Sequence, residues 1–587
     1  MFDALLVHIS TSYIHQNVRS TEPQLGQYYI AEYADAEGFS VKVKKYSSHE
    51  PILNSIIDII ESNQCRILGF YVDSENLWTI RRLLFDIKKA IENLFVVIGG
   101  PQVTGDSKLA LKRIPSADCA IVGEGEKPFL EILKAKTKGI TDLSNIKGIS
   151  FTDEEGNFIF TGSQLVSNLD TYPYPRRERY TLDPNMIFDQ ISTGRGCVGH
   201  CAFCYEGNKT ENKLRLRSIG NVIEEIDYVI SHLKNQHYIS FLDDTFIINS
   251  ERTKTICNHL INKYNGNIGW FCEARVDILQ NNIALLPLMK QSGLIRVQLG
   301  GESGSQMILD AYRKHMRTED LKNVVQKIYE AGIPSIYINF IVGGAFETLE
   351  SFNQTLEFAL DLIDTAPGCA EVGSSLFSPY VGTPMRQTPS SFGISIIDSD
   401  LISGPDTFMP FVRTKELSEQ KILQLKNIFD VEIKKKRSEV VKRLPKECLY
   451  KHYLLYRTFE MATDWLNQCQ EIESMNNYFE SIIDYGFSSI DDLSLEKIQM
   501  CIPYRTCQPV SDGESYYRVV YGDEYKKNTP LQNAVFLLSS GKICFCEIVS
   551  ILKRNEKFRQ YDNLENEIYT VFQEFDQEFL VVWKSAF

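Results

Sequence analysis

A chain of 587 residues sets an expectation of about three to four domains at roughly 150 residues each. Its 43% hydrophobic and 24% charged content is that of an ordinary globular protein, and a net charge of −14 argues against a general binder of nucleic acid or anionic membranes. No apolar run approaches the roughly 18 residues needed to span a bilayer. The 14 cysteines are scattered rather than framed, and with no signal peptide at Met1-Phe2-Asp3 they are expected as reduced thiols in the cytoplasm.

Residues 1–145 alternate short apolar strands with amphipathic helices. Ala4 to Ile9 is a strand, and a helix carrying Ile30, Tyr33 and Ala34 ends at Gly38. Strands recur at Ser40 to Val43, Arg66 to Phe70 and Leu94 to Gly99, and the stretch from Ala120 to Glu126 has the same design. Continuous apolar strands of this kind indicate a doubly wound, Rossmann-like parallel sheet with its ligand crevice at the strand C-termini. Gly99-Gly100 lies just beyond a strand, where backbone can approach a bulky ligand closely. Val97-Ile98-Gly99-Gly100-Pro101, Val122-Gly123-Glu124-Gly125-Glu126 and Phe129 resemble the cobalamin (B12)-binding domain that precedes many radical S-adenosylmethionine (SAM) enzymes. The resemblance implies cobalamin contacts at Gly99, Gly100, Gly123, Glu124 and Gly125, and near Ser74 in the loop after the third strand; Trp78 in that loop is expected in the core. Cobalamin domains that ligate cobalt through a histidine carry Asp-x-His-x-x-Gly after the first strand. Here Ser10 to Asn17 contains His15 without that Asp and Gly, so no protein histidine is expected on cobalt.

Residues 146–187 are expected to link two domains. Gly148 to Phe151 and Phe158 to Phe160 flank a turn-like Asp153 to Asn157, the pattern of a hairpin. Pro173, Pro175 and Arg176-Arg177-Glu178-Arg179 mark an exposed entry to the next domain.

From 188 to 400 the alternation resumes, and it opens on Gly194-Arg195-Gly196-Cys197-Val198-Gly199-His200-Cys201-Ala202-Phe203-Cys204. Three thiolates on one loop can hold three irons of a [4Fe–4S] cube and leave the fourth open, and the glycines let backbone N–H groups approach the sulfurs. A zinc site completed by His200 is the alternative, although zinc sites usually bring a second ligand pair from further along. Later strands end in Asp243-Asp244, Glu273-Ala274-Arg275, Gly300-Gly301-Glu302-Ser303-Gly304, Gly343-Gly344 and Ser374 to Phe377. Six βα units are too few for a closed eight-stranded barrel, so a partial (βα)6 barrel is expected, its active site at the strand C-termini.

The C-x3-C-x2-C spacing, with an aromatic residue before the last cysteine, resembles the radical SAM enzymes. Asp243-Asp244, Gly300 to Gly304, Phe346-Glu347-Thr348 and Pro379 to Pro384 resemble the branch of that family with cobalamin domains. The resemblance implies a [4Fe–4S] cluster on Cys197, Cys201 and Cys204, whose open iron chelates SAM and whose electron cleaves it to a 5′-deoxyadenosyl radical. It also implies Arg275 at the SAM carboxylate, Glu302 and Ser303 at its ribose or methionine end, and Gly343 with backbone near Phe203 and Tyr205 at its adenine. Asp243-Asp244 would face the ligand or else pair with Arg215 or Arg217. Val342-Gly343-Gly344-Ala345-Phe346 lacks the proline common in this loop.

Residues 401–510 read as helical and polar. Leu417, Ile422, Leu425, Ile428 and Phe429 keep helical spacing, and Lys434 to Arg437 reads as a solvated face. Cys501 and Cys507 lack the spacing of an auxiliary cluster, so one cluster is expected. Residues 511–587 give a strand at Tyr516 to Tyr521, helices at Thr529 to Leu538, around Ile543 to Leu552 and at Leu564 to Phe575, and a closing strand at Phe579 to Trp583, a winged-helix order. After Val510 there are 9 Lys and Arg against 12 Asp and Glu, which disfavours DNA. The pattern resembles the recognition element of enzymes that modify ribosomally made peptides, which binds a leader peptide as an added strand.

The expectation is therefore a cytoplasmic, cobalamin-dependent radical SAM methyltransferase that acts on an unactivated carbon of a ribosomal peptide. Its partners would be a precursor peptide with a leader and an electron donor such as flavodoxin or ferredoxin, with no nucleic acid and no membrane. Cyclisation or rearrangement without methyl transfer, a small-molecule substrate, and a catalytically silent scaffold are the alternatives.

Overall fold

The computed structural model describes all residues except 11–23, 48–49, 184–188, 207–213, 233–237, 398–409, 514, 523 and 586–587. The chain forms two units, one of Met1–Ala366 with Val372–Ile433 and the other of Pro367–Glu371 with Lys434–Phe587. Among the described residues no helix is long and apolar enough to cross a membrane.

The first unit opens with a seven-stranded sheet: β1 (Ala4–Ser10), β2 (Val41–Ser47), β3 (Ile67–Tyr71), β4 (Phe95–Gly99), β5 (Cys119–Ile121), β6 (Ile149–Thr152) and β7 (Phe158–Phe160). Its spatial order is β2-β1-β3-β4-β5-β6-β7. β1 through β5 run parallel, and the chain reverses direction of winding between β1 and β3, where such sheets hold their ligands. Side chains alternate across the sheet with the period of two that a strand imposes. Leu5, Val7 and Ile9 pack with Leu68 and Phe70 on one face, under Ile56, Ile60, Ile80 and Leu84 of flanking helices. Ala4 and Leu6 pack with Ile67 and Val97 on the other, against Tyr28, Ala31, Phe129 and Ile132. The hairpin expected in the linker forms, and it is part of this sheet: β6 pairs antiparallel with β5, and β7 with β6.

The second sheet contains β8 (Gln190–Ile191), β11 (Ile239–Phe241), β12 (Trp270–Ala274), β13 (Leu294–Glu302), β14 (Ser335–Val342) and β15 (Ala370–Leu376), in the linear order β15-β14-β13-β12-β11-β8. A separate antiparallel pair, β9 (Gly194–Arg195) with β10 (Arg215–Leu216), brackets the cysteine loop. Six strands in sequence order, parallel wherever a register is described, match the open (βα)6 expectation.

The second unit has the expected strand, three helices and closing strand, with further strands beside them. A three-stranded antiparallel sheet, Val510–Ser511, Tyr516–Val520 and Glu524–Lys527, comes before the helices Pro530–Leu538, Phe545–Lys553 and Leu564–Gln577. The closing strand Val581–Lys584 pairs with Ile502–Arg505, upstream of the boundary expected at 510. The reason is burial: Val581 and Trp583 share a core with Ile490, Ile498 and Cys501, which a domain starting at 511 would leave open.

One ion-pair network fastens the segment after the hairpin to both sheets. Glu225, fully buried on the helix Ile219–His232, binds Arg177 at 2.5 Å and also Arg217. Arg177 donates to the Gln190 carbonyl of β8 at 2.6 Å, and Arg217 to the Tyr29 hydroxyl of the first sheet's helix at 3.0 Å. Removing the shared anion strands two guanidiniums in the interior, which costs more than the pair's net worth. Glu225→Ala is expected to destabilise the cofactor-free chain by about 3–5 kcal/mol, read as a lowered urea midpoint with an unchanged slope.

Candidate active site

The cysteine loop leaves β9 at Gly196, which has φ +90°, and runs past Cys197, Cys201 and Cys204. The Gly199 N–H donates to Cys197 Sγ at 3.3 Å, and Arg275 Nη1 donates to Cys201 Sγ at 3.7 Å. A Cβ at 199 would stand 2.1 Å from Arg275 Nη1, so any larger residue would push that guanidinium away from Cys201. The loop is pinned by the Ala202 N–H, which donates to the Tyr312 carbonyl at 2.9 Å, and by Phe203 edge-on to the Tyr312 ring. Among the described residues no three His, Cys, Asp or Glu side chains gather around one metal ion, and His200 is exposed. Cationic and N–H groups turned toward the sulfurs suit an anionic cluster.

Around this loop stand the C-terminal ends of the second sheet. Arg275 follows β12 and holds Asp277 through two bonds, Nε at 3.0 Å and Nη2 at 2.8 Å, while its third nitrogen faces Cys201. Its guanidinium is thus committed to the protein on both edges, which leaves little of it for the SAM carboxylate. Glu302, at φ +59° where the β13 register shifts, pairs with Lys314 Nζ at 2.6 Å, both buried. Burial opposes a charge on Lys314, but the Glu302 carboxylate and the Cys201 sulfur outweigh it and hold the ammonium charged. Lys314 was not among the expected site residues. It is 12 residues beyond Glu302 in sequence, and only the fold brings it back.

Ser303 is buried and its hydroxyl is engaged with Thr355 Oγ1 at 2.9 Å and with the Ser305 N–H at 3.1 Å, so it shapes the strand-to-helix turn. Gly343 has φ +85°, and its N–H donates to Glu347 Oε2 at 2.5 Å. Burial pushes the Glu347 carboxyl up to about 8 against that hydrogen bond. Asp243 pairs with neither arginine expected for it. It accepts from the Thr193 N–H at 2.9 Å and hydroxyl at 2.8 Å, and burial raises it to about 6. Arg215 and Arg217 bind Glu124 and Glu225 instead.

Between the two sheets lies a cavity of about 460 Å³. The first sheet supplies Tyr71, Gly99, Gly100, Gly123, Glu124 and Gly125; the second half supplies Gly196, Tyr205, Leu242 and Asp244. Gly100 has φ +105°, and a Cβ there would meet the Val72 carbonyl oxygen at 2.7 Å, so glycine alone keeps this wall flat. Gln27, from the helix Leu25–Asp35, lines the cavity nine-tenths buried; its Nε2 donates to the Val7 carbonyl, and its Oε1 has no partner. A buried, unsatisfied acceptor in a cavity wall suits a ligand rich in amide N–H groups, as the rim of a corrin is. Ser74 does not line this cavity; it lies in the turn where Asp73 Oδ1 accepts from the N–H groups of Glu75 and Asn76 at 2.9 Å. The His15 loop lies outside the described residues.

Comparison with known proteins accounts for both halves. Residues 12–133 match the B12 binding domain, and residues 191–359 match the Radical SAM superfamily. The chain is a radical SAM enzyme with a B12-binding domain. Its cofactors are a [4Fe–4S] cluster, SAM and cobalamin. An uncharacterized methyltransferase of Pyrococcus horikoshii is 29% identical over 385 residues, covering 65% of this chain and 81% of that protein. An anaerobic magnesium-protoporphyrin IX monomethyl ester cyclase of Rubrivivax gelatinosus is 27% identical over 345 residues, covering 57% of this chain and 61% of the cyclase. The solved structure of the cobalamin-dependent S-adenosylmethionine radical enzyme OxsB, with aqua-cobalamin and S-adenosylmethionine bound, shares the fold: its TM-score is 0.59 at 17% identity, over 83% of this chain and 75% of that one.

Anaerobically reconstituted protein is expected to carry about four irons and four sulfides per chain, the content of one cube. Cys197→Ala/Cys201→Ala/Cys204→Ala is expected to lose them together with SAM cleavage. Eight irons per chain in the wild-type protein would contradict a single cluster.

Proposed function

We propose that the enzyme methylates an unactivated carbon of a ribosomally synthesised peptide. The observation that carries the methyl transfer is the shared cavity: Gly196, at the root of the cysteine loop, lines the same space as Gly99 and Gly123 of the B12-binding sheet. Cluster and SAM supply one-electron chemistry for hydrogen abstraction, and cobalamin supplies a transferable methyl group. The protein's part is to hold the two sources against one face of a substrate and to exclude water. The rigid glycine wall at Gly99 and Gly100, Tyr205 and Leu242 serve that end. Lys314, charged beside Glu302 and Cys201, offers an anchoring cation for an anionic group of SAM. The Pyrococcus relative named as a methyltransferase supports the reading. The cyclase relative supports a second one, cyclisation without methyl transfer, over a smaller share of that protein. Reduction by a flavodoxin or ferredoxin in the cytoplasm completes the proposal.

The peptide substrate rests on the second unit. Glu524–Lys527 is the end strand of its sheet, exposed at all four positions, with Tyr525 65% exposed. The Asn528 N–H donates inward to the Tyr516 carbonyl at 2.9 Å, so by strand alternation the N–H groups of Tyr525 and Lys527 point away from the sheet. An unpaired edge of this kind accepts an added strand through main-chain bonds.

Incubating reduced enzyme, SAM and cobalamin with the peptide encoded beside its gene is expected to add about 14 Da, the mass of one methylene. A loss of hydrogen with no added carbon would establish the cyclisation reading instead. Tyr525→Pro removes one outward N–H and leaves the ladder intact. It is expected to raise the apparent KM for the precursor about tenfold, or 1.4 kcal/mol, without changing substrate-free SAM cleavage. An unaltered KM would point to a small-molecule substrate.

A further inference from the structure

Four side chains between the first sheet and the cysteine loop form an ionic set whose pairing the cofactor assignments do not explain. Arg195 Nη2 lies 2.5 Å from Glu126 Oε1, and its Nη1 lies 3.4 Å from Glu124 Oε1. Arg215 Nη2 lies 2.7 Å from that same Glu124 oxygen, while its Nη1 donates to the Val166 carbonyl at 2.7 Å. The Arg195 guanidinium also stands 5.2 Å from the Tyr29 ring and 5.4 Å from the Tyr172 ring. Two cations meet two anions, and the most exposed of the four side chains is 23% accessible. Burial opposes ionisation of Glu124, yet the two guanidiniums hold it below the usual carboxylate range.

Its placement gives it a purpose. Arg195 is two residues before Cys197 on β9, and Arg215 is on β10, which pairs with it. Glu124 and Glu126 flank Gly125 in the turn after β5. All four side chains, with Gly123, Gly125 and Gly196, line the cavity assigned to cobalamin. Gly123 sits at φ +89° with no atom within 4 Å of where a Cβ would be, tethered through its N–H to Thr104 Oγ1 at 3.0 Å.

We propose that Arg195, held by Glu124 and Glu126, is the positioning residue through which the cobalamin cavity and the SAM-binding cluster loop sense each other's occupancy. The proposal rests on the cofactor assignment and is independent of the substrate and of methyl transfer. A corrin filling the cavity fixes the turn that carries both glutamates. Those glutamates fix Arg195, and Arg195 sets the start of the loop that carries the cluster cysteines. Coupling of this kind exists only if each ligand prefers one arrangement of the set, and it is then reciprocal.

The test uses full-length, cluster-loaded protein, with hydroxocobalamin and SAM as probes in anaerobic equilibrium dialysis. Saturating hydroxocobalamin is expected to lower the SAM Kd of the wild-type protein at least about 5-fold, the low end of typical coupling. Glu126→Gln and Glu124→Gln keep side-chain shape and remove charge; each is expected to bring that ratio within about 2-fold of one at unchanged iron content. Arg195→Lys keeps the charge but loses the planar fork, and is expected to fall between. A wild-type ratio of one, or a ratio that both glutamine variants preserve, overturns the proposal. So does loss of iron in both glutamine variants, which would make the set a scaffold for the loop rather than a link.

Discussion

A parallel strand buried on both faces can carry almost no polar side chain along its length. The first six residues of β1 and the middle of β4 are buried. Chemistry is thereby pushed to the strand ends, and the carboxyl ends are where ligands of parallel sheets bind. Here the two sheets present those ends to one space. Tyr71, Gly99, Gly100 and the turn Gly123–Gly125 come from β3, β4 and β5; Ser192, Leu242 and Asp244 come from β8 and β11. A large cofactor on the first sheet and a cluster loop on the second are neighbours because each sheet has only one end able to host them.

Around the cysteine loop the electrostatic design is one of supplied positive charge. Three thiolates and their cluster would be costly to bury in an apolar wall. The loop answers with the Gly199 N–H on one sulfur and the Arg275 guanidinium on another, and Lys314 stays charged against its own burial. Arg275 cannot swing freely toward a substrate, since Asp277 grips it through two bonds. Lys314 pairs with Glu302 through one ammonium, beside the Phe203 ring, so it can redistribute toward an incoming anion at smaller cost. The distinction follows from fork geometry against point charge.

What was legible in the sequence was what is local. The cysteine spacing lies within eight residues, and the glycines after β4 and β5 sit beside the strands that explain them. Strand positions could be read because burial on both faces writes continuous apolar runs. Pairings across long separations were not legible. Glu124 was expected to face cobalamin from a motif, yet its partners are Arg195 and Arg215, 71 and 91 residues away, and nothing local announces them. Ser303 reads like a ligand contact, but a hydroxyl after a strand serves equally well to cap the turn, and here it does. In the second unit the three helices after Thr529 were legible from their apolar spacing, while the partner of the closing strand, Ile502–Arg505, is about 80 residues upstream and was missed. Around Ser74 the loop after β3 turns back to cap itself through Asp73, a pairing within four residues.

The buried ionic sets also show what such pairs are for. Two cations and two anions withdrawn from water lose roughly as much in desolvation as they gain from each other, so their net contribution to stability is near zero. A hydrophobic replacement of equal volume would pack the seam between β9 and the first sheet as firmly. It would not fix direction, because apolar contacts slide where a charged fork does not. The Arg195 guanidinium reaches Glu126 with one nitrogen and Glu124 with the other, between two tyrosine rings. The Arg177–Glu225–Arg217 set does the same for the segment that joins the sheets, and its Arg217 holds Tyr29 and Ser192 of the cavity wall. One set fixes how the halves are joined and the other fixes how the cluster loop faces the corrin cavity, and it is orientation between two reacting centres that a radical transfer most depends on.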